Sequence, residues 1–125
     1  MYFVGKLNRE IFRCISEDIH TDEVIITENQ VNHIIERRGE EFYIKYFSIF
    51  KTIIEEPDYI FRDNENTALV CKRIEEDGKV INLVVRLVLP MDEPEYKNSI
   101  ITAIYESEKR FQQRLRNNVA LYKRE

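Results

Sequence analysis

At Pro57 the spacing of apolar residues changes from a helical to an alternating period, and any fold open to this chain has to respect that switch. Before it, EFYIKYFSIFKTIIEE places Phe42, Tyr46, Ile49, Phe50 and Ile53 on one helical stripe, widened by Tyr43, Phe47 and Ile54. Lys45, Ser48, Lys51, Thr52 and Glu55 take the other side, and the proline stops the helix. After it, DYIFRD, TALVCKRIEE, KVINLVVRLVL and KNSIITAIYES alternate with a period of two between DNEN, EDGK and MDEPEYK. Asp77-Gly78 is a strong hairpin signal. The expected fold is therefore α+β: N-terminal helices on a four-stranded antiparallel meander, followed by a C-terminal helix within ESEKRFQQRLRNNVALYKRE.

An earlier helix is marked by its caps. In IITENQV, Thr27 with Gln30 forms a capping box and Ile26 with Val31 a hydrophobic staple, so a helix starts near Glu28 and Gly39 closes it. Val31, Ile34, Ile35 and the stem of Arg38 share its apolar face, while His33 and Arg37 lie one turn apart on the opposite side. His33 is therefore not a core histidine. The aromatics of the second helix read as core packing rather than a ligand box.

The chain of 125 residues suits one domain, 1–125, and its three glycines leave almost no room for a phosphate-cradling loop. The start lacks a basic segment leading into a long apolar run, and VINLVVRLVLP is short and broken by Arg86, so a cytoplasmic protein is expected. Cys14 and Cys71 stand far apart with no histidine cluster, which suggests two reduced packing thiols and no metal or cofactor. The net charge of −4 is uneven. From Lys97 onward seven cations face three carboxylates, a net +4 that leaves −8 over the preceding residues. Such a segment is either a solvated helix or a local attractor for phosphate.

Alternate strand residues give the triplets Val70-Lys72-Ile74, Val84-Arg86-Val88 and Ile100-Thr102-Ile104, each with one polar residue between two apolar ones. Leu83-Val85-Leu87-Leu89 and Ile101-Ala103-Tyr105 form the complementary, helix-facing set. Side by side, the triplets gather Lys72, Arg86 and Thr102 on one sheet face, a combination suited to an oxyanion such as phosphate. The plainer reading is a half-exposed sheet whose cationic stems cover apolar neighbours.

NHIIERRG on a helix, IIEEPDYI ending the next, two alternating strands, NSIITAIYES and a closing LYKR together resemble the phage-associated domains of the barnase, EndoU, colicin E5/D and RelE-like nuclease superfamily. The resemblance runs from about Val24 to the C-terminus, leaving 1–23 as an extension outside it. It implies a metal-independent endoribonuclease with its site on the open sheet face, cleaving tRNA or mRNA by attack of the ribose 2′-hydroxyl on the adjacent phosphate. It also implies a phage or mobile-element toxin or effector, with an immunity or antitoxin protein as partner. The catalytic group it suggests is His33, Arg86, Thr102 and Lys72, with Arg37, Ser99, Tyr122 and Lys123 binding substrate. His20 reads as a loop residue, so the second proton carrier would be Tyr122, Lys72 or a carboxylate such as Glu36, unless charge stabilisation alone suffices. The alternative is a non-catalytic RNA- or protein-binding module on the same fold.

Overall fold

The computed structural model describes residues 1–93 and 95–125. The chain forms β1 (Tyr2–Lys6), α1 (Arg9–Phe12), β2 (Glu23–Ile26), α2 (Glu28–Arg38), α3 (Glu40–Tyr46), a 3-10 turn (Phe47–Ile49) and α4 (Phe50–Glu55). Then come β3 (Tyr59–Asn64), β4 (Thr67–Ile74), β5 (Lys79–Arg86), β6 (Asn98–Ser107), α5 (Glu108–Asn117) and β7 (Tyr122–Lys123). The α+β class holds, but the sheet has seven strands in the order β1-β2-β6-β5-β4-β3-β7 rather than four. It is mixed, because β2 runs parallel to β6 while the other pairs are antiparallel. The central meander β3–β6 is the one expected. The three added strands are short, and β1 is further interrupted by a register shift between Phe3 and Gly5, so none repeats the alternation long enough to register.

The expected caps of α2 are in place. Thr27 accepts from the Gln30 amide and Gln30 Oε1 from the Thr27 amide, both at 3.2 Å, and Gly39 ends the helix at φ 97°, a left-handed conformation that favours glycine. Thr27→Ala should lower stability by about 1 kcal/mol, read from chemical denaturation. The aromatic helix is broken: α3 and α4 are separated by the 3-10 turn with no proline or glycine to announce it. Tyr43 and Phe47 stack across the break at 4.8 Å, and Phe50 turns inward to full burial.

The sheet separates two apolar layers. On one side Ile34, Phe42, Tyr46, Phe50, Ile53 and Ile54 from the helices meet Val70, Ile81, Leu83, Val85 and Ala103. On the other, Phe111 of α5 lies over Tyr59, Phe61, Leu69, Cys71, Val80 and Val84. Burial pushes the Cys71 thiol far above its ordinary value, consistent with a packing role. Asn98, fully buried, joins β6 to β2: its Nδ2 donates to the carbonyls of Thr21 (2.6 Å) and Glu23 (3.0 Å), and its Oδ1 accepts from Val88.

Candidate active site

Two details of register decide which residues meet. The β4–β5 hairpin closes at Ile74–Lys79 across a four-residue turn, so even-numbered residues of β4 pair with odd-numbered residues of β5: Val70 with Leu83, Lys72 with Ile81. Lys72 therefore shares the helix-side face with Leu83 and not the face of Arg86. Its Nζ donates to the Glu56 carbonyl at 2.7 Å and pairs with Asp58 at 3.6 Å. Between β5 and β6, Val84 pairs with Thr102 and Arg86 with Ser99, because the register shifts by one residue at Ile101. That bulge turns Ser99 and Thr102, three residues apart, to the same face as Arg86, and sends Ile100 into the helix-side core with Ala103.

The result is a row across the sheet. Thr67 of β4 lies opposite Arg86, Ser99 lies opposite it on the other side, and Ile25 of β2 is level with Ser99. Thr102 is the diagonal neighbour, next to Val84. Arg86 is thus flanked in register by hydroxyl-bearing residues on both neighbouring strands, at about the 5 Å spacing of paired strands, and the Thr67 hydroxyl accepts from the Asn64 amide at 2.7 Å. The Arg86 side chain is 41% exposed and reaches Asp92 at 3.6 Å. α5 covers the β3–β5 part of this face, over Leu69, Val80 and Val84. Thr67 was missed in the sequence because only the pairing register brings it here.

The remaining candidates are placed elsewhere. Tyr122 pairs with Ile60 and packs against the helix-side core, while Lys123 pairs with Tyr59. β7 is three strand spacings from β5, roughly 14 Å, so neither joins Arg86. Glu36 is exposed on α2. His33 is half-buried and Arg37 exposed on the same helix, whose Ile34 enters the helix-side core. α2 packs along β6, where β2 pairs with Asn98 and Ser99 and, among the described residues, the rest of that strand's outer edge has no strand partner. Arg38 Nε donates to the Ala103 carbonyl at 3.1 Å. His33 and Arg86 therefore sit in different layers, with β6 between them. The expectation of one common face for them is corrected in that respect. His20 belongs to the loop tied to the end of β5: its backbone amide donates to the Val88 carbonyl at 2.9 Å, two residues beyond Arg86.

Two hollows flank these elements. The larger, about 740 Å³, includes Asp58, Lys72, Arg73 and Arg124, and its charges are largely paired: Lys72 and Arg124 with Asp58, Arg73 with Glu108 at 2.9 Å. The other, about 500 Å³, lies between α2–α3 and β6 and is lined by Arg37, Arg38, Lys45, Phe42, Tyr46 and Tyr105. The basic C-terminal segment is partly neutralised internally, since Lys97 binds Glu23, Arg114 binds Glu106 and Arg124 binds Asp58. Among the described residues no group of three or more His, Cys, Asp or Glu side chains is placed to hold a metal ion, and no helix is long and apolar enough to cross a membrane.

Residues 4–123 match the family model described as phage-Barnase-EndoU-ColicinE5/D-RelE like nuclease 2, PBECR2. The chain belongs to the PBECR2 nuclease family. No curated protein and no solved structure matches it. The match takes in β1 from Val4 and all of α1, which the shorter sequence resemblance left outside, in keeping with β1 being hydrogen-bonded to β2 in the same sheet.

In this PBECR2 chain α5 is fastened to the sheet by a charged network next to the second core. Glu106, its side chain 8% exposed, accepts from Arg114 at 3.0 and 3.2 Å and from buried Asn82 at 2.7 Å. Burial pushes the Glu106 carboxyl up, but the bonds from Arg114 and Asn82, with Arg110 nearby, outweigh it and hold the group below its usual 4.5. A carboxylate depressed in the folded state stabilises above its unfolded value, and that contribution fades as pH falls through the folded value. Glu106→Gln should therefore cost about 2–3 kcal/mol at neutral pH. The gap in melting temperature from wild type should close below pH 4.5.

Proposed function

We propose that this PBECR2 nuclease is a metal-independent endoribonuclease, a toxin or effector of a phage or mobile element acting in the cytoplasm on tRNA or mRNA. The observation that carries this reading is the pairing of Arg86 in register with the hydroxyl-bearing residues Ser99 and Thr67, with Thr102 diagonal to it. Attack of a 2′-hydroxyl on phosphorus places extra negative charge on the non-bridging oxygens, which a planar guanidinium with Ser99 and Thr102 as hydroxyl donors is suited to stabilise. Asp92 holds Arg86 until the phosphate takes its place.

His33 is the group assigned to take the 2′ proton, since an imidazole exchanges protons near neutral pH. Because the attacked phosphorus lies only about 3 Å from the 2′ oxygen, this role requires His33 and Arg86 to converge on one phosphodiester at the outer edge of β6 when RNA binds, with Arg37 one helical turn from His33 steadying the backbone. With Tyr122 and Lys72 placed away from Arg86, the proton for the leaving 5′ oxygen is assigned to His20, whose loop is anchored at the end of β5. Specificity and an immunity partner belong to the same proposal. A non-catalytic RNA- or protein-binding module is the second reading, favoured by the placement of His33 and Arg86 in different layers.

Incubating the purified protein with total cellular RNA in excess EDTA tests the choice. The nuclease reading expects cleavage that survives EDTA, is lost in Arg86→Ala and is unchanged in Lys72→Ala, together with growth arrest on expression. RNA left intact, or cleavage abolished by EDTA, contradicts it.

A further inference from the structure

We propose that the groove between α3 and β6 is a second RNA subsite, which stacks an unpaired base of a single strand on Tyr105 and holds the neighbouring phosphates with Arg37 and Lys45. The inference rests on the RNA reading above and adds a place where the strand is held away from the scissile phosphate.

Three rings build the platform. Phe42 and Tyr46 lie 5.0 Å apart, and Tyr105 meets them at 5.6 and 6.2 Å. Phe42 and Tyr46 are buried, but Tyr105 is 44% exposed, a large ring held on a rigid strand and open to the groove. An exposed ring backed by two buried ones is suited to receive a π-face, and stacking suits single-stranded RNA because each base offers one. A solvated sheet residue explains less well why the positions around it are cationic. Arg37, Arg38 and Lys45 line the groove with one carboxylate, Glu41, while Asp77 at its edge pairs with Lys45. Lys79 Nζ stands 5.5 Å from the Tyr105 ring centre.

The groove is also held in shape before any ligand arrives. Tyr46 Oη donates to Asp77 at 2.7 Å and Lys45 Nζ to the same carboxylate at 3.3 Å, which ties α3 to the β4–β5 turn. Arg38 is anchored on the Ala103 carbonyl. Preorganised cations and rings of this kind reduce the ordering cost of binding. Tyr105 follows Thr102 on the same strand by three residues, roughly 10 Å, on the opposite face, since Tyr105 pairs with Ile81 and Thr102 with Val84. A short strand that reaches both rounds the outer edge of β6, which, among the described residues, β2 pairs only at Asn98 and Ser99.

The test uses the full chain and a short fluorescein-labelled single strand with 2′-O-methyl riboses, which has no 2′-hydroxyl to attack, read by anisotropy. The proposal expects tight binding by wild type, retention by Tyr105→Phe, and about tenfold or greater weakening by Tyr105→Leu. Arg37→Gln should lower the slope of log affinity against log salt by about one. A duplex of the same sequence, with no unpaired base, should bind more weakly than the single strand. Unchanged affinity in Tyr105→Leu, or equal binding of duplex and single strand, overturns the subsite. If EDTA-resistant cleavage of ordinary RNA persists in that case, the subsite alone falls and the nuclease reading stands. If wild type neither binds the strand nor cuts RNA, both fall.

Discussion

Replacing His33 with alanine should reduce the initial rate of RNA cleavage by roughly 10²- to 10⁴-fold, the range for removing a positioned acid or base. The fold should survive, because the α2 core contact is made by Ile34, which is fully buried, whereas His33 points off that stripe by about 100°. Circular dichroism and melting temperature separate the two effects. A rate within a few-fold of wild type would remove the imidazole from the chemistry and leave charge stabilisation by Arg86 as the whole of catalysis. The pH–rate profile is a second readout: the limb contributed by the imidazole should be missing in His33→Ala.

The largest loss of stability is expected for Phe111→Ala, about 3–5 kcal/mol by denaturant unfolding. Phe111 is fully buried, edge-on to Tyr59 at 5.2 Å and to Phe61 at 6.4 Å, with the Arg73 guanidinium 5.2 Å from its ring centre. It is the one residue of α5 that is fully buried in the second core, with Leu115 only partly so. Its removal therefore opens a cavity and frees the helix together. A cost below about 1 kcal/mol would mean that α5 is held by Arg114–Glu106 and Arg73–Glu108 rather than by apolar packing. The helix matters to the site because it covers the β3–β5 part of the sheet face that carries Arg86.

Much of this architecture was legible in the sequence because it is written in long periods. Eight residues of alternation in β4 and in β5, with Asp77-Gly78 between them, suffice to mark a hairpin, and the Thr27–Gln30 pair suffices to start α2. The two-residue β7 and the bulged β1 carry too little pattern to be seen. At the site the decisive facts were parities. Arg86, Ser99 and Thr102 share a face only because Ile101 is an extra residue, and Lys72 leaves it only because the β4–β5 turn has four residues rather than an odd number. Neither is encoded by the identity of the residues concerned. Tyr105 was assigned correctly to the helix-facing set, but its exposure depends on α2 and α3 leaving a groove beside it, which is a property of packing and not of β6 alone.

The most direct test of the account is the chemistry of the ends left by cleavage of an oligonucleotide carrying a single ribonucleotide in an otherwise deoxy strand, in EDTA. The account predicts one cut, on the 3′ side of the ribonucleotide, yielding a 2′,3′-cyclic phosphate and a 5′-hydroxyl. Cuts at deoxy positions, or products ending in a 5′-phosphate and a 3′-hydroxyl, would contradict it.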